Sequence, residues 1–286
     1  GLATAKAERG TVLMLDPANG EVLAFSSLPA YEPQDFRAAP QELLKNWAVS
    51  DASPPGSTMK ILTVACGLES GAIREDSRIL DTGRMKIGGW SIQNYDVHKH
   101  PYPGNIDLEY LFIHSSNIAS AKIALSMDAK AYHRLLKGFG MGEKTGIDLP
   151  AETRGLFYDA AKWDEATQGS LGYGYGLAAT PVQMAAAVAA IANGGVWHQP
   201  HVLRSRMPGR AKQSRRVLSP ATAAAMTRLL ERSVRHNENT PANLFEAGVP
   251  VTVAGKTGTS PCPFYASDAA DGHQGADFGG PLPMKK

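Results

Sequence analysis

A predicted helix that begins near Ser57 carries apolar side chains on almost every side. The apolar positions are Met59, Ile61, Leu62, Val64, Ala65 and Leu68. A helix with almost no polar face must be buried, so the rest of the chain has to surround it, and Gly71 marks its expected end. Lys60 lies within this helix, and a charged group on a buried helix needs a specific reason to be there.

The composition describes a folded chain of 286 residues with enough apolar mass for one large or two small domains. Hydrophobic residues make up 43% and charged residues 20%, which excludes disordered, collagen-like and disulfide-scaffold proteins. The 29 basic and 27 acidic residues nearly balance, so we expect no nucleic-acid partner. Two cysteines do not indicate a redox compartment, and Cys66 is expected in the helix core.

Neither a membrane span nor a leader is predicted. The least polar stretch, 178–192, contains Pro181 and Gln183 and is shorter than the roughly 20 residues that a span needs, so it predicts a buried helix. Residues 1–9 are of mixed charge and have no apolar core of the kind found in signal peptides. We therefore expect any export or anchoring segment to lie outside this chain.

The first two thirds of the chain predict a hairpin followed by helices. The β-forming runs Thr11–Leu15 and Glu21–Phe25 flank a turn sequence and predict the hairpin. Residues 31–55, rich in proline, predict an irregular connection, and 67–195 have a mainly helical pattern without internal repeats. The helices expected there are Leu108–Phe112, Asn117–Ser126, Ala129–Gly138 and Pro181–Asn193.

The carboxyl-terminal third combines basic, helical and β-forming segments. Six basic residues within 204–216 fit a solvated hairpin better than a binding patch. An amphipathic helix is expected from Pro220 to about Val234. Val249–Thr259 predicts a strand, and 260–286, rich in glycine and proline, predicts a disordered tail.

Ser57 and Lys60 are three positions apart, so a hydroxyl and an amine share one face of the predicted helix. Such a pair can act as a nucleophile beside a base. The preceding Pro-Pro-Gly sequence stiffens the approach and places Ser57 at the helix amino end, where free N–H groups and the helix dipole favour an oxyanion. The alternative is a capping serine with a surface lysine, but the helix offers Lys60 no polar face.

Two further polar groups follow along the chain. Ser115 and Asn117 offer a hydroxyl and an amide at a helix start, where an N-cap is the simpler interpretation. The segment 256–259 ends the predicted strand with a lysine and two hydroxyls, which suit a carboxylate ligand, although an edge strand with solvated threonines remains the alternative. The same Lys-Thr-Gly triplet at 144–146 has no β-forming run before it and predicts a loop without a chemical role.

The order Ser-x-x-Lys, Ser-x-Asn and Lys-Thr-Gly is the motif set of the penicillin-binding proteins and serine β-lactamases. Over 11–259 the sequence resembles class B penicillin-binding proteins, particularly the cell-division transpeptidases. The segments that carry this likeness are Leu15–Pro17, Gly20–Ala24, Pro55–Lys60, His114–Ala119 and Gly174–Pro181. The resemblance implies an α/β (α+β) fold in which an antiparallel sheet accompanies a large helical subdomain.

The resemblance also implies a peptidoglycan D,D-transpeptidase that cross-links stem peptides, is acylated by β-lactams and uses no cofactor or metal. Ser57 would attack the penultimate D-Ala carbonyl, and Lys60 would take its proton. Ser115 and Asn117 would relay protons and hold the peptide. Lys60 can act as a base only if burial and a nearby cation such as Lys256 lower its pKa.

The remaining implied roles belong to the Lys-Thr-Gly segment. Lys256, Thr257 and Thr259 would orient the substrate carboxylate, and Gly258 would allow a close approach. The backbone N–H groups of Ser57 and Thr259 would form the oxyanion hole. The implied partners are stem peptides, β-lactams, cell-division proteins and a glycosyltransferase, and the implied location is the periplasmic face of the bacterial cytoplasmic membrane.

Two other functions remain open. A β-lactamase or D,D-carboxypeptidase of the same superfamily needs a positioned water, but no deacylating carboxylate can be assigned from the sequence. A non-catalytic relic that serves as a binding module in a cell-wall complex would be expected to lose one of Ser57, Lys60, Asn117 and Lys256, and all four are present.

The histidines disfavour a metal hydrolase. Only His98 with His100, and His198 with His201, are close in sequence, and no carboxylate is expected to complete a ligand set around either pair. All four are therefore expected at the surface.

One transpeptidase domain is expected over 1–259, with sheet segments at about 9–27 and 200–259 and a helical part at about 57–195. Members of the family that it resembles continue past the Lys-Thr-Gly strand with two long apolar strands and a closing helix, which 260–286 do not offer. Without them the predicted strand lacks a neighbour. We expect a truncated or frame-altered domain with an incomplete sheet and reduced acylation.

Overall fold

The structure, a computed structural model, describes residues 7–203, 213–237 and 252–259. The chain divides into two compact units. The first comprises Gly1–Ala52, Leu135–Phe157 and Ala178–Ala223, and the second comprises Ser53–Arg134, Tyr158–Leu177 and Ala224–Lys286. All the sequence-predicted site residues belong to the second unit.

Helices and antiparallel strand pairs make up the described residues, as the predicted α+β class requires. The strands are β1 (Gly10–Leu15), β2 (Val22–Leu28), β3 (Ile79–Asp81), β4 (Arg84–Ile87), β5 (Trp90–Gln93), β6 (Gly104–Ile106), β7 (Val196–His198) and β8 (Ser214–Arg216). The α-helices are α1 (Trp47–Ser50), α2 (Met59–Glu69), α3 (Leu108–Ile113), α4 (Asn117–Ser126), α5 (Ala129–Gly138), α6 (Glu165–Leu171), α7 (Pro181–Ala192) and α8 (Pro220–His236). The antiparallel pairs are β1–β2, β3–β6, β4–β5 and β7–β8.

The predicted amino-terminal hairpin is confirmed as β1 and β2. The Asp16 carboxylate accepts a hydrogen bond of 2.9 Å from the Ala18 N–H and closes the turn between them. Apolar side chains of the hairpin pack on the core of the first unit. The contacting residues are Leu13, Val22 and Phe25 from the hairpin, and Val49, Ile147 and Val182 from the core. Among the described residues, β1 and β2 form a sheet of two strands only.

The helix predictions agree closely with the structure. The four helices predicted within 67–195 correspond to α3, α4, α5 and α7, and the predicted amphipathic helix corresponds to α8. The proline-rich connection 31–55 contains two 3-10 turns and the short α1. The four strands β3 to β6 were not predicted, because runs of three or four residues carry too little alternation to be recognised. The helix α6, of seven residues, was not predicted either.

Helix α2 lies in the core of the second unit, as its apolar sequence predicts, and Cys66 is buried within it. A Cβ atom on Gly67 would lie 2.8 Å from Cγ2 of Ile123, so α2 and α4 approach closely at this glycine. The Thr63 hydroxyl donates a hydrogen bond of 3.0 Å to the carbonyl of Gly172, beyond the end of α6. These contacts with α4 and with the end of α6 fix the position of α2 in the core.

The basic segment was predicted as a solvated hairpin, which is wrong for Arg215. The guanidinium of Arg215 lies 3.8 Å from the centroid of the buried Trp197 ring, and its Nε donates a hydrogen bond of 2.7 Å to the carbonyl of Gly138. Arginine can bury its planar head against an aromatic face while a carbonyl satisfies its N–H groups. Residues 204–212 lie outside the described residues.

The predicted strand Val249–Thr259 is not observed where it can be assessed. Residues 252–259 have no strand structure, while 249–251 and the predicted tail lie outside the described residues, as does Cys262. A strand requires a hydrogen-bonded neighbour, and the described residues provide none for this segment. Among the helices of the described residues, none combines the length and apolar character needed to cross a bilayer.

His201 was predicted at the surface, and this prediction is wrong. The side chain is buried. The backbone N–H of His201 donates a hydrogen bond to the carbonyl of Gly20 (3.0 Å), and its carbonyl accepts one from the N–H of Val22 (2.8 Å), so the residue lies against the hairpin. His198 is half-buried in β7, whereas His98 and His100 are exposed as predicted.

Candidate active site

Ser57 lies in a 3-10 turn, Gly56–Thr58, that leads directly into α2. The Thr58 hydroxyl donates a hydrogen bond of 2.7 Å to the carbonyl of Pro55, which closes the turn. The Gly56 N–H donates to the carbonyl of Gly174 at 3.2 Å. A Cβ atom on Gly174 would lie only 1.9 Å from the Gly56 oxygen, so these two backbones approach as only glycine permits. The residues before and after the half-buried Ser57, Gly56 and Thr58, are thus both held in place.

Lys60, in the first turn of α2, is fully buried and makes all of its hydrogen bonds with one short segment of the chain. Its Nζ donates to the carbonyl of Ser115 (2.5 Å), the hydroxyl of Ser115 (3.0 Å) and Oδ1 of Asn117 (2.7 Å). The structure therefore brings Lys60 to Ser115 and Asn117, which lie 55 and 57 positions further along the sequence.

Burial is the largest cause of a pKa of Lys60 well below its usual range. The positive charge of Lys256 lowers it further, while the carboxylates of Asp81 and Asp96 act in the opposite direction. Burial also lowers the pKa of Lys256 to about 8. The two effects that were expected to lower the pKa of Lys60, burial and a nearby cation, are therefore both present.

Ser115 occupies the sharp turn between α3 and α4 in a strained conformation. Its φ of 51° is unusual for a residue with a side chain and costs about 1 to 3 kcal/mol. The N-cap of α4 is Ser116, whose hydroxyl accepts a hydrogen bond of 2.9 Å from the Ala119 N–H. The capping alternative thus applies to Ser116, which leaves Ser115 and Asn117 free to contact Lys60.

Asp81 and Asn94 support this turn, and the sequence analysis missed both. The buried Asp81 carboxylate accepts hydrogen bonds from the Gly83 N–H (2.7 Å), from Nδ2 of Asn94 (2.8 Å) and from the Ser116 hydroxyl (2.5 Å). A buried carboxylate with three donors holds its neighbours in fixed positions.

Asn94 connects the Asp81 carboxylate to the first residues of α4 through hydrogen bonds. Its Oδ1 accepts hydrogen bonds from the backbone N–H groups of Asn117 (2.8 Å) and Ile118 (3.2 Å). The Asn117 side chain also donates a hydrogen bond of 2.8 Å to the carbonyl of Gln93, so its Oδ1 faces Lys60. The sequence carries no signal for this network, because Asp81 and Asn94 come from very short strands and the turns beside them.

The Lys-Thr-Gly segment lies against the Ser57 turn. A Cβ atom on Gly258 would lie 2.7 Å from Cγ2 of Thr58 and 3.3 Å from the carbonyl of Pro55, the residues that flank Ser57 and its glycine. Only glycine allows this approach. Thr257 and Thr259 are exposed, and Lys256 donates a hydrogen bond of 3.0 Å to the carbonyl of Thr257. All eight predicted site residues therefore lie in the second unit. Ser115 and Asn117 contact Lys60, and the Lys-Thr-Gly segment contacts the turn that holds Ser57.

The second Lys-Thr-Gly triplet forms a loop, as predicted. Here the backbone N–H groups of Thr145 (2.6 Å) and Gly146 (3.0 Å) donate to the carboxylate of Glu152. The loop belongs to the first unit and already holds an internal carboxylate.

A group of possible metal ligands includes His100 but not His98, so it is not one of the two histidine pairs considered in the sequence. Asp96, His100 and His114 each offer one ligand atom, and these atoms lie within 4.8 Å of one another. His114 is distant in sequence from the two pairs that were considered, and the fold brings it to Asp96.

Comparisons with known proteins give one consistent result. Residues 10–262 match the family profile described as the penicillin binding protein transpeptidase domain. The peptidoglycan D,D-transpeptidase FtsI of Escherichia coli K12 is 33% identical over 192 residues, which cover 67% of this chain and 32% of that protein. Stage V sporulation protein D of Bacillus subtilis is 28% identical over 257 residues, which cover 86% of this chain and 39% of that protein. The chain thus spans about a third of the length of these relatives.

Solved structures show the same likeness in three dimensions. Penicillin binding protein 3 of Mycobacterium tuberculosis, complexed with aztreonam, is 29% identical with a TM-score of 0.80, over 91% of this chain and 60% of that chain. A peptidoglycan glycosyltransferase structure from Burkholderia ambifaria is 26% identical with a TM-score of 0.76, over 91% of this chain and 75% of that chain.

Proposed function

Because the chain belongs to the family of penicillin-binding protein transpeptidase domains, we propose that it is a peptidoglycan D,D-transpeptidase that forms an acyl-enzyme on Ser57. The observation that carries this proposal is the complete burial of Lys60 beside Ser115 and Asn117, one helical turn from Ser57. A lysine in this position is neutral more readily than a solvated one, and only a neutral lysine can accept a proton.

In the first step, the Ser57 oxygen attacks the carbonyl carbon of the penultimate D-Ala residue of a stem peptide. The Ser57 proton passes to Nζ of Lys60 as the new C–O bond forms. The C–N bond then breaks, and the terminal D-Ala leaves with a proton delivered by way of the Ser115 hydroxyl, which lies 3.0 Å from Nζ. The product is an ester between Ser57 and the shortened peptide.

The negative charge that develops on the carbonyl oxygen is stabilised by backbone N–H groups. Those of Ser57 and Thr259 are the candidates, because the Gly258 contact with Thr58 brings the two segments side by side. Lys256, Thr257 and Thr259 orient the carboxylate of the substrate, and the exposure of both threonines leaves their hydroxyls accessible. Asn117 holds the peptide backbone near the amine of Lys60.

In the second step, the amine of another stem peptide attacks the ester carbonyl and loses a proton to the Lys60–Ser115 pair. The new amide bond cross-links the two peptides, and Ser57 is regenerated. A β-lactam enters the same first step, but its ring-opened acyl group remains attached. The complex of the Mycobacterium tuberculosis relative with aztreonam supports β-lactam binding by this chain.

Cell-wall synthesis places such an enzyme at the periplasmic face of the cytoplasmic membrane. Cell-division proteins and a glycosyltransferase are the proposed partners, because the resemblance to the cell-division transpeptidases implies them.

Labelling with a fluorescent penicillin tests the proposed function. We expect a covalent label on the wild-type chain that persists for hours and is absent from Ser57→Ala. Rapid release of the label would identify a hydrolase of the same superfamily, and a chain that never becomes labelled would identify a binding module without catalysis.

A further inference from the structure

Three polar side chains converge next to the Ser115 turn without a role in the proposed reaction. Asp96 is buried in the turn that follows β5, where its carbonyl accepts hydrogen bonds from the N–H groups of Lys99 (2.8 Å) and His100 (2.9 Å). This turn folds His100 back toward Asp96. His114 caps the end of α3, with its N–H bonded to the carbonyl of Tyr110 at 2.9 Å. The three ligand atoms come within 4.8 Å of one another.

The distances suit a single metal ion. Nδ1 of His114 and Oδ2 of Asp96 are 3.2 Å apart and share a hydrogen bond, which a metal ion bound to both atoms would replace. Two ligand atoms at the usual Zn–N and Zn–O distances of about 2.0 to 2.2 Å are separated by about 3.3 Å at a tetrahedral angle. The rings of His100 and His114 meet edge to face, with centroids 5.0 Å apart and planes at 80°. One nitrogen of each ring lies within 4.8 Å of the other and of the Asp96 carboxylate.

Among the described residues, the neighbours of the group orient its ligands without bonding to their facing atoms. The Tyr110 ring stacks on His114 at a centroid distance of 4.0 Å and an angle of 18°, which fixes the orientation of the imidazole. The nearby Asp81 carboxylate is already occupied by Gly83, Asn94 and Ser116. Within the described part of the chain, this group is the one in which at least three such ligand atoms converge.

We propose that Asp96, His100 and His114 bind one divalent transition-metal ion, which holds the turn that carries Ser115. Two imidazoles and a carboxylate suit Zn²⁺ better than Mg²⁺ or Ca²⁺, which prefer oxygen ligands. Three protein ligands leave a fourth position for water. His114 immediately precedes Ser115, whose φ of 51° is strained, so a metal bond to His114 restrains this turn from one side.

Equilibrium dialysis of the full chain against Zn²⁺, with metal analysis of the protein, tests the site. His98→Ala is the matched control, because His98 is exposed, lies two positions from His100 and is not part of the group. We expect wild type and His98→Ala to bind one Zn²⁺ ion with the same affinity, and His100→Ala to bind at least tenfold more weakly. Mg²⁺ at the same concentration should not compete. Since His100 is exposed, its replacement should leave the fold intact, which circular dichroism checks.

Hydrogen exchange, followed by mass spectrometry, tests the effect on the turn. Zn²⁺ should slow exchange in the peptide that contains 114–117 in wild type and in His98→Ala, but not in His100→Ala. Equal Zn²⁺ affinity of wild type and His100→Ala would overturn the site. Exchange that Zn²⁺ leaves unchanged in wild type would overturn its restraint of the turn. Neither measurement depends on penicillin acylation, so either result is separate from the outcome for the proposed function.

Discussion

Nζ of Lys60 and Oδ1 of Asn117 are joined by a hydrogen bond of 2.7 Å, although the two residues lie 57 positions apart in the sequence. The bond ties the first turn of α2 to the first residue of α4. Because Asn117 is itself held by Asn94 and by the carbonyl of Gln93, the amine of Lys60 has a fixed position. Preorganisation of this kind is what a general base requires.

Lys60→Arg should abolish acylation by penicillin. The guanidinium remains protonated at every accessible pH, so it cannot take the proton of Ser57. The second-order rate of labelling measures the effect, with Lys130→Arg as a control at an exposed position of α5. If Lys60→Arg still became labelled at the wild-type rate, another group would have to be the base.

Lys256→Gln should move the rising limb of the acylation pH profile to higher pH. The charge of Lys256 lowers the pKa of Lys60, so its removal raises that pKa, and a higher pH is then needed to produce the neutral amine. Acylation rates measured across the pH range report the shift.

Lys144→Gln provides the control for this profile, because it changes the same triplet in the loop of the first unit. Its profile should coincide with that of wild type. Equal shifts in the two variants would contradict the assignment of Lys256 to the site.

Gly174→Ala should destabilise the protein and slow acylation. An added Cβ would lie 1.9 Å from the carbonyl oxygen of Gly56, so the backbone at Gly56, next to Ser57, or at Gly174 has to move. Gly71→Ala is the matched control, since Gly71 also has a positive φ but has no atom within 4 Å of the added Cβ. Both variants lose about 1 to 2 kcal/mol through backbone strain, and Gly174→Ala should lose at least about 2 kcal/mol more through the overlap. Urea unfolding measures this difference, and equal losses would show that the contact does not matter.

Asn94→Ala should lower the free energy of unfolding by about 2 to 3 kcal/mol and slow acylation. The variant leaves the N–H groups of Asn117 and Ile118 without their acceptor and removes the two hydrogen bonds that Nδ2 of Asn94 donates to the Asp81 carboxylate. Asn105→Ala, at an exposed position of β6, should change neither quantity appreciably. Wild-type acylation by a folded Asn94→Ala protein would rule out a positioning role for this residue.

The sequence contained enough information to predict the site helices but not the turns that orient them. Helix α2 was predictable because its apolar residues leave no polar face, and Lys60 was conspicuous within it. The beginning of α4 was predictable from its serines. The sequence did not show that Ser116 is the cap, or that Asp81 and Asn94 support the turn that precedes the helix. Their contacts depend on how short strands pair, which local patterns do not encode.

The errors have the same physical origin. The alternation in 249–259 predicted a strand, but a strand exists only where a neighbour completes its hydrogen bonds, and the described residues supply no such neighbour. Arginine and histidine side chains were predicted to be exposed because such residue types usually are. In the structure, Arg215 packs on the ring of Trp197, and the backbone of His201 pairs with Glu21 at the edge of the hairpin. Such partners become apparent only when the chain is folded.

Peptide mass spectrometry of the protein after exposure to penicillin tests the central claim most directly. The account predicts one adduct, on the peptide that contains Ser57, and no adduct on a Ser57→Ala variant whose circular dichroism matches wild type. The variant should remain folded, because loss of a hydroxyl at a helix amino end costs only about 0.5 to 2 kcal/mol. An adduct on a different residue, or unchanged labelling of Ser57→Ala, would contradict the assignment of Ser57 as the nucleophile.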